Sequence, residues 1–281
     1  MAAVSTYPFQ PDYAVPPGEI LEETLTARQM KKAEFAARCA LTPKTVSQIL
    51  GGKAPITPDT AIRLERVLGV SANLWNRLEA NYRLHVAREA DREALNSTAA
   101  WAKRFPVAEL ARRGVLPATS DAGARVAALL DFFGVGSIAA WESQFASLKV
   151  AYRHSASFKS SPESLAAWLR LGELRAQEIE CAAYDREAFR AALQERRPLT
   201  VEPPGTFEPQ LRELCRAAGV AVVFVSQLPK THLSGATRWL TKDKALIMLT
   251  LRHKSDDHFW FSLFHEAGHI LLHSKKEIFV D

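Results

Sequence analysis

Between residues 17 and 92 the apolar positions recur at intervals of three and four, the spacing of helices with one buried face, and capping residues divide the run into five segments. The first helix is predicted over 18–26. A second carries Ala33, Phe35, Ala36 and Cys39 as its inward stripe and ends at a tight turn of Ala40 and Leu41. Thr42 is an N-cap with Pro43 at the first helical position; Val46, Ile49 and Leu50 face inward, and Gly51 and Gly52 stop the helix. Pro58 opens a fourth helix that buries Ala61, Leu64, Val67 and Leu68 and ends at Gly69. Ser71 caps a fifth, in which Trp75, Leu78, Tyr82 and Val86 share one face, core and dimer seam together. Residues 1–16, with three prolines and no periodicity, read as a flexible arm.

From 93 to 197 the pattern remains helical, with start and stop residues predicting helices over 106–114, 121–134, 137–148, 161–181 and 185–195. This stretch reads as a helical connector. Trp101, Trp141 and Trp168 are spaced as core residues, and residues 155–164 (SASFKSSPES) form a polar loop. A Pro-rich link over 196–209 marks the next boundary. The period then changes. After a short helix carrying Leu211, Leu214, Cys215 and Ala218, β-branched or alternating runs predict strands over 220–225, 236–240 and 245–251, the last two joined by a polar hairpin connection. A final helix starts near 255. The fold class is therefore mainly α with a small C-terminal α+β part at 205–281.

The 281 residues, 47% apolar, are enough for two domains. The N-terminus lacks a basic n-region and an apolar h-region, and the longest apolar run is too short to span a bilayer, so a cytosolic protein with no membrane partner is expected. Cys39, Cys181 and Cys215 are widely spaced and odd in number, which argues for buried thiols over disulfides or a Cys-based metal site. Net charge is +5, but residues 1–92 carry twelve Lys or Arg against ten Asp or Glu. Any case for nucleic-acid binding must therefore rest on where the basic residues stand, not on their excess.

Their placement is informative. With Val46, Ile49 and Leu50 inward, Lys44, Thr45, Ser47 and Gln48 point outward near a helix N-terminus, behind the Thr42 cap. Lys can donate to guanine O6/N7, Gln can pair bidentately with adenine, and the helix N-terminus itself attracts phosphate. Residues 32–53 (KAEFAARCALTPKTVSQILGGK) thus read as a helix-turn-helix. The longer run from Pro17 to Arg88, with PGEIL at 17–21, PITPDTA at 55–61 and LWNRLEANY at 74–82, closely resembles the HigA-type addiction-module antitoxins of the XRE repressor family. That resemblance implies a five-helix DNA-binding domain at 17–92 working as a homodimer on a double-stranded operator, with phosphate contacts at Lys32 and Lys53. The stretch AAWLRLGELRA at 166–176 is similar to the middle region of the longer antitoxins.

A second motif lies in the last helix, where residues 265–269 read HEAGH, an HExxH sequence. Spacing i, i+4 stacks His265 and His269 on one helical face, so that both imidazoles can bind one Zn²⁺, and Glu266 is placed as general base for the water such an ion activates. The edge of the strand at 245–251 would hold an extended substrate by backbone pairing. Residues 235–273 are similar throughout to the ImmA/IrrE metallopeptidases, especially the version fused to XRE antitoxin domains, which implies a zincin-like fold and a third, carboxylate ligand further downstream. No residue here matches that carboxylate, so the domain reads as truncated and its zinc as weakly held. His273 at i+8 lies about 12 Å along a continuous helix from His265. Glu277 and Asp281 are the carboxylates that follow, without motif support, while His232, His253 and His258 read as surface or packed histidines.

The first reading is thus a DNA-binding transcriptional regulator of antitoxin type, its metallopeptidase-like domain sensing or contacting a partner such as a cognate toxin. The alternatives are a zinc endopeptidase that cleaves a repressor or toxin, and an interaction module in which both motifs are relics.

Overall fold

A computed structural model describes residues 15–152, 161–194, 204–250, 256–275 and 278–280. Residues 1–14 of the arm, most of the polar loop at 155–164, the first part of the Pro-rich link, His253, Glu277 and Asp281 lie outside the described residues. The chain divides into two compact units between Ala94 and Leu95.

The first unit holds α1 (Pro17–Ala27), α2 (Lys32–Arg38), α3 (Pro43–Leu50), α4 (Pro58–Leu68) and most of α5 (Ala72–Asn96). Local chemistry sets the boundaries. The two Thr-Pro-x-Thr sequences start helices in the same way: the Thr42 hydroxyl accepts the Thr45 N–H at 3.0 Å, and the Thr57 hydroxyl accepts the Thr60 N–H at 3.3 Å. Gly69 ends α4 at φ +65, a left-handed C-cap that Gly adopts without a Cβ clash. Leu21, Phe35, Val46, Ile49, Leu64, Leu68 and Trp75 form the core. Each large apolar side chain taken from water there contributes about 1.5–3 kcal/mol. Ala33, expected in the inward stripe, is exposed, because the α2 face turned to the core runs through Phe35, Ala36 and Cys39. Val86 is exposed as well.

The second unit begins with helices α6 (Ala99–Ala102), α7 (Val107–Arg112), α8 (Ala122–Phe133), α9 (Ile138–Tyr152), α10 (Pro162–Gln177), α11 (Arg186–Gln194) and α12 (Pro204–Ala217). Strands β1 (Val220–Phe224), β2 (Gly235–Thr241) and β3 (Lys244–Leu249) follow, then α13 (Asp256–Leu272) and β4 (Phe279–Val280). The sheet order is β1-β3-β2-β4, with β1 and β3 parallel and the other pairs antiparallel. Thr241 pairs with Lys244, so the β2–β3 turn is Lys242-Asp243.

The sheet is covered on both faces, and the two-residue period of its strands assigns each side chain to a layer. Ala221, Val223, Leu246 and Met248 pack with Trp101, Phe133, Trp141, Leu165 and Trp168 from the earlier helices. Val220, Val222, Ala245, Ile247 and Leu249 pack instead with Phe189, Leu211, Trp260 and Leu263. The helices read as a connector therefore share a core with the sheet. Residues 166–176 supply much of the contact: Gly172 lets α10 come close enough that a Cβ would stand 2.1 Å from Met248, and Trp168 Nε1 donates to the Val225 carbonyl at 2.9 Å. Among the described residues no single helix is long and apolar enough to cross a membrane.

Strand β3 is not the free edge for a substrate that its sequence suggests: β1 and β2 occupy its two sides, so its backbone groups are already paired. Its residues 245–249 are all buried, the mark of a strand covered on both faces.

Candidate functional site

The outward face of α3 is built from its first residue. Thr42 caps it, and the Thr42 and Thr45 hydroxyls lie 2.8 Å apart, which commits both groups to the helix start. Thr45 is half-buried beside them; Lys44, Ser47 and Gln48 are exposed, with Val46 and Ile49 anchoring the opposite side. The structure thus brings four of the seven sequence-derived DNA residues onto one helical face and makes Thr42 its cap. Lys32 starts α2, where it makes an exposed ion pair with Glu22 at 2.5 Å. Lys53 stands exposed in the loop after α3.

Three residues that motif spacing left without a role hold this helix in place. Gly18, from PGEIL, sits so close to the end of α3 that a Cβ would lie 2.3 Å from the Ile49 carbonyl oxygen and 2.6 Å from that of Leu50. Arg63 of α4 donates to the Ala40 carbonyl at 3.0 Å and pairs with Asp59 at 2.9 Å, bracing a turn in which Ala40 takes φ +50. Glu79, from LWNRLEANY, is 8% exposed; it accepts the Ile56 N–H at 3.0 Å and the Arg83 Nε–H at 2.7 Å. The sequence signal for Glu79 was its phase: it lies four residues after Trp75, on the buried side of α5. Burial raises the Cys39 thiol above its ordinary range, partly opposed by the Arg63 charge, so Cys39 is an inert core thiol.

The histidine site lies in the second unit, on α13 and against β2 and β4. His265 and His269 face each other with their Nε2 atoms 3.1 Å apart. Two Zn–N bonds of about 2.05 Å spanning that separation subtend roughly 98°, near the tetrahedral angle, so the pair fits one ion. Glu266 is 1% exposed; its Oε2 accepts the Thr237 hydroxyl at 2.5 Å, and its Oε1 lies where a Cβ on Gly235 would be only 2.5 Å away. Thr237 pairs with Phe279 across β2 and β4, and the Phe279 ring stacks on His269 at 4.0 Å between centroids. The helix is continuous through Leu272, and the His269 and His273 rings are 5.2 Å apart. Among the described residues no group of three His, Cys, Asp or Glu is arranged to hold a metal ion. The spacing of the two histidines is compatible with a shared ion, and among the described residues they have no third donor placed beside them.

Residues 21–75 match the model of the helix-turn-helix family HTH_3. An uncharacterised HTH-type transcriptional regulator of Escherichia coli K12, YddM, is 37% identical over 73 residues, which cover 26% of this chain and 78% of YddM. Virulence-associated protein I of Dichelobacter nodosus is 34% identical over 84 residues, covering 30% of this chain and 77% of that protein. Among solved structures, the antitoxin HigA of Pseudomonas aeruginosa, determined with the higBA promoter, is 31% identical over 30% of this chain and 94% of its own, with a TM-score of 0.29.

Proposed function

Because this chain belongs, through residues 21–75, to the XRE-type helix-turn-helix family of DNA-binding regulators, we propose that it is an antitoxin-type repressor. It binds, as a homodimer, a near-palindromic operator beside its own reading frame. The observation that carries this reading is the outward face of α3: a lysine, a serine and a glutamine stand exposed over a Thr-capped helix start, the side-chain chemistry that reads base edges in a major groove. Half-sites one helical turn apart, roughly 34 Å, follow from that docking geometry. A cognate toxin or repressor protein is the partner for the second unit in this reading.

The test is fluorescence anisotropy with the duplex upstream of the gene and with a random duplex of equal length. Gln48→Ala costs about 1–3 kcal/mol at the preferred site and relaxes base choice, whereas Lys53→Ala weakens both duplexes alike. Equal losses on both duplexes for Gln48→Ala refute the assignment of α3 as the base reader.

A second reading, a zinc endopeptidase acting on a repressor or toxin, draws on the facing pair His265 and His269 beside the buried Glu266. When bound there, Zn²⁺ acidifies water and polarises a carbonyl. The chain's own part is to hold the ion on two imidazoles and to take a proton at Glu266, whose Oε2 is engaged by Thr237. With two protein ligands the expected zinc is weakly held and stripped by dialysis, and no peptide hydrolysis is expected. Stoichiometric zinc that survives dialysis, with hydrolysis lost in Glu266→Gln, would favour the enzyme over the regulator.

A further inference from the structure

We propose that the Glu79–Arg83 pair is a positioning device for DNA binding: it ties the loop after the recognition helix to α5 and so fixes where Lys53 meets the phosphate backbone. The proposal rests on the DNA-binding reading above. The loop folds back on the last turn of α3, with the Gly52 N–H bonded to the Ile49 carbonyl at 3.0 Å and the N–H groups of Lys53 and Ala54 to the Gln48 carbonyl at 2.8 and 3.1 Å. Gly52 takes φ +67, a conformation that suits glycine. Lys53 is therefore hydrogen-bonded through its backbone to the residue assigned to base reading.

Beyond these bonds to α3, the loop is tied to α5 through the Glu79 carboxylate and its partner Arg83. Glu79 Oε2 accepts the Ile56 N–H at 3.0 Å, at the far end of the loop. Its Oε1 accepts Arg83 Nε–H at 2.7 Å, and Arg83 Nη2 reaches the Gly52 carbonyl at 3.3 Å, at the near end. Both ends of the 52–56 loop are thus held to one turn of α5. Lys53 itself is exposed between them, with its backbone fixed and its side chain directed to solvent. A long, flexible ammonium gains most from such a fixed base, since a phosphate contact made from a moving loop must also order that loop.

The experiment measures Kd of the full chain for a mixed-sequence 30-base-pair duplex between 50 and 200 mM NaCl. Each phosphate contact contributes about 0.9 to the salt slope, or roughly a 3.5-fold change in affinity over that range. Glu79→Ala is expected to lower the slope by about 1 per bound protomer, as Lys53→Ala does, and the double variant to lose no more than either single one. Glu79→Gln keeps an acceptor for the Ile56 N–H but loses the ion pair, and falls between Glu79→Ala and wild type. Circular dichroism establishes that each variant is folded; if Glu79→Ala is not, Glu79→Gln and Arg83→Lys carry the comparison. A wild-type slope in folded Glu79→Gln and Arg83→Lys, or full additivity with Lys53→Ala, overturns the proposal while leaving the DNA-binding reading intact. A wild-type chain that does not bind the duplex overturns that reading, and this proposal with it.

Discussion

Gly18→Ala tests how α3, the proposed recognition helix, is held. A Cβ at this position would stand 2.3 Å from the Ile49 carbonyl oxygen, 2.6 Å from that of Leu50 and 2.8 Å from the Leu50 Cα, all backbone atoms at the end of α3. Normal contact requires roughly 1 Å more. No rotamer change can supply it, so α1 and α3 must separate. Overpacking of this kind costs about 1–3 kcal/mol, and the better helix propensity of Ala returns up to about 1 kcal/mol, less in a first turn. The expected net loss is about 1–2 kcal/mol for the first unit, a factor of about 5–30 in its opening equilibrium. Hydrogen–deuterium exchange of the intact chain reads this directly: peptides over 17–27 and 43–50 should exchange faster by that factor, and peptides from the second unit serve as the internal reference. The displaced helix end should also weaken operator binding by about tenfold, the equivalent of 1.4 kcal/mol. Gly51→Ala is the control, because its φ is −82 and its nearest contact is 3.3 Å from Ser47 O. Unchanged protection and affinity in Gly18→Ala, or equal effects in both variants, would show that the approach of α1 to α3 does not hold the helix.

Further outcomes follow from local geometry. Ala40→Gly removes a left-handed alanine at φ +50 whose penalty of about 1–2 kcal/mol outweighs the entropy cost of glycine, so the first unit should gain up to about 1 kcal/mol in the same exchange measurement; a loss would mean the turn is unstrained. Thr42→Ala should cost about 1 kcal/mol of α3 stability and Thr42→Ser little, as judged by exchange over 43–50; equal losses would remove the hydroxyl cap as the cause. In the second unit, hydrogen bonds from Arg112 and then Arg113 hold the Glu109 carboxyl down to about 2 from its usual 4.5. A depressed carboxyl stabilises the fold above pH 4.5 and loses that contribution as pH falls toward 2, so melting followed by circular dichroism should show a drop across this window that is slightly smaller in Glu109→Gln.

The helices of the first unit were legible because their signals are local. A Thr-Pro-x-Thr cap, a glycine at a helix end and an apolar residue every third or fourth position act within one or two turns, and the outward face of α3 follows once Val46 and Ile49 are inward. The HExxH pair was legible for the same reason: one turn of helix brings His265 and His269 to 3.1 Å whatever surrounds them. Long-range contacts were not legible. That β3 fills the space between β1 and β2, that α10 presses Gly172 on Met248, and that Glu79 spans twenty-three residues to reach Ile56 depend on the path of the chain between those points. Capping and periodicity act through the few peptide units next to a residue, so the sequence by itself determined the helices of the first unit and the faces of α3 and α13, but not α6, β4 or the helical start of α12 at Pro204. Burying both faces of the sheet and satisfying the Glu79 carboxylate require groups distant in sequence to share one place, and only the tertiary structure decided which they are.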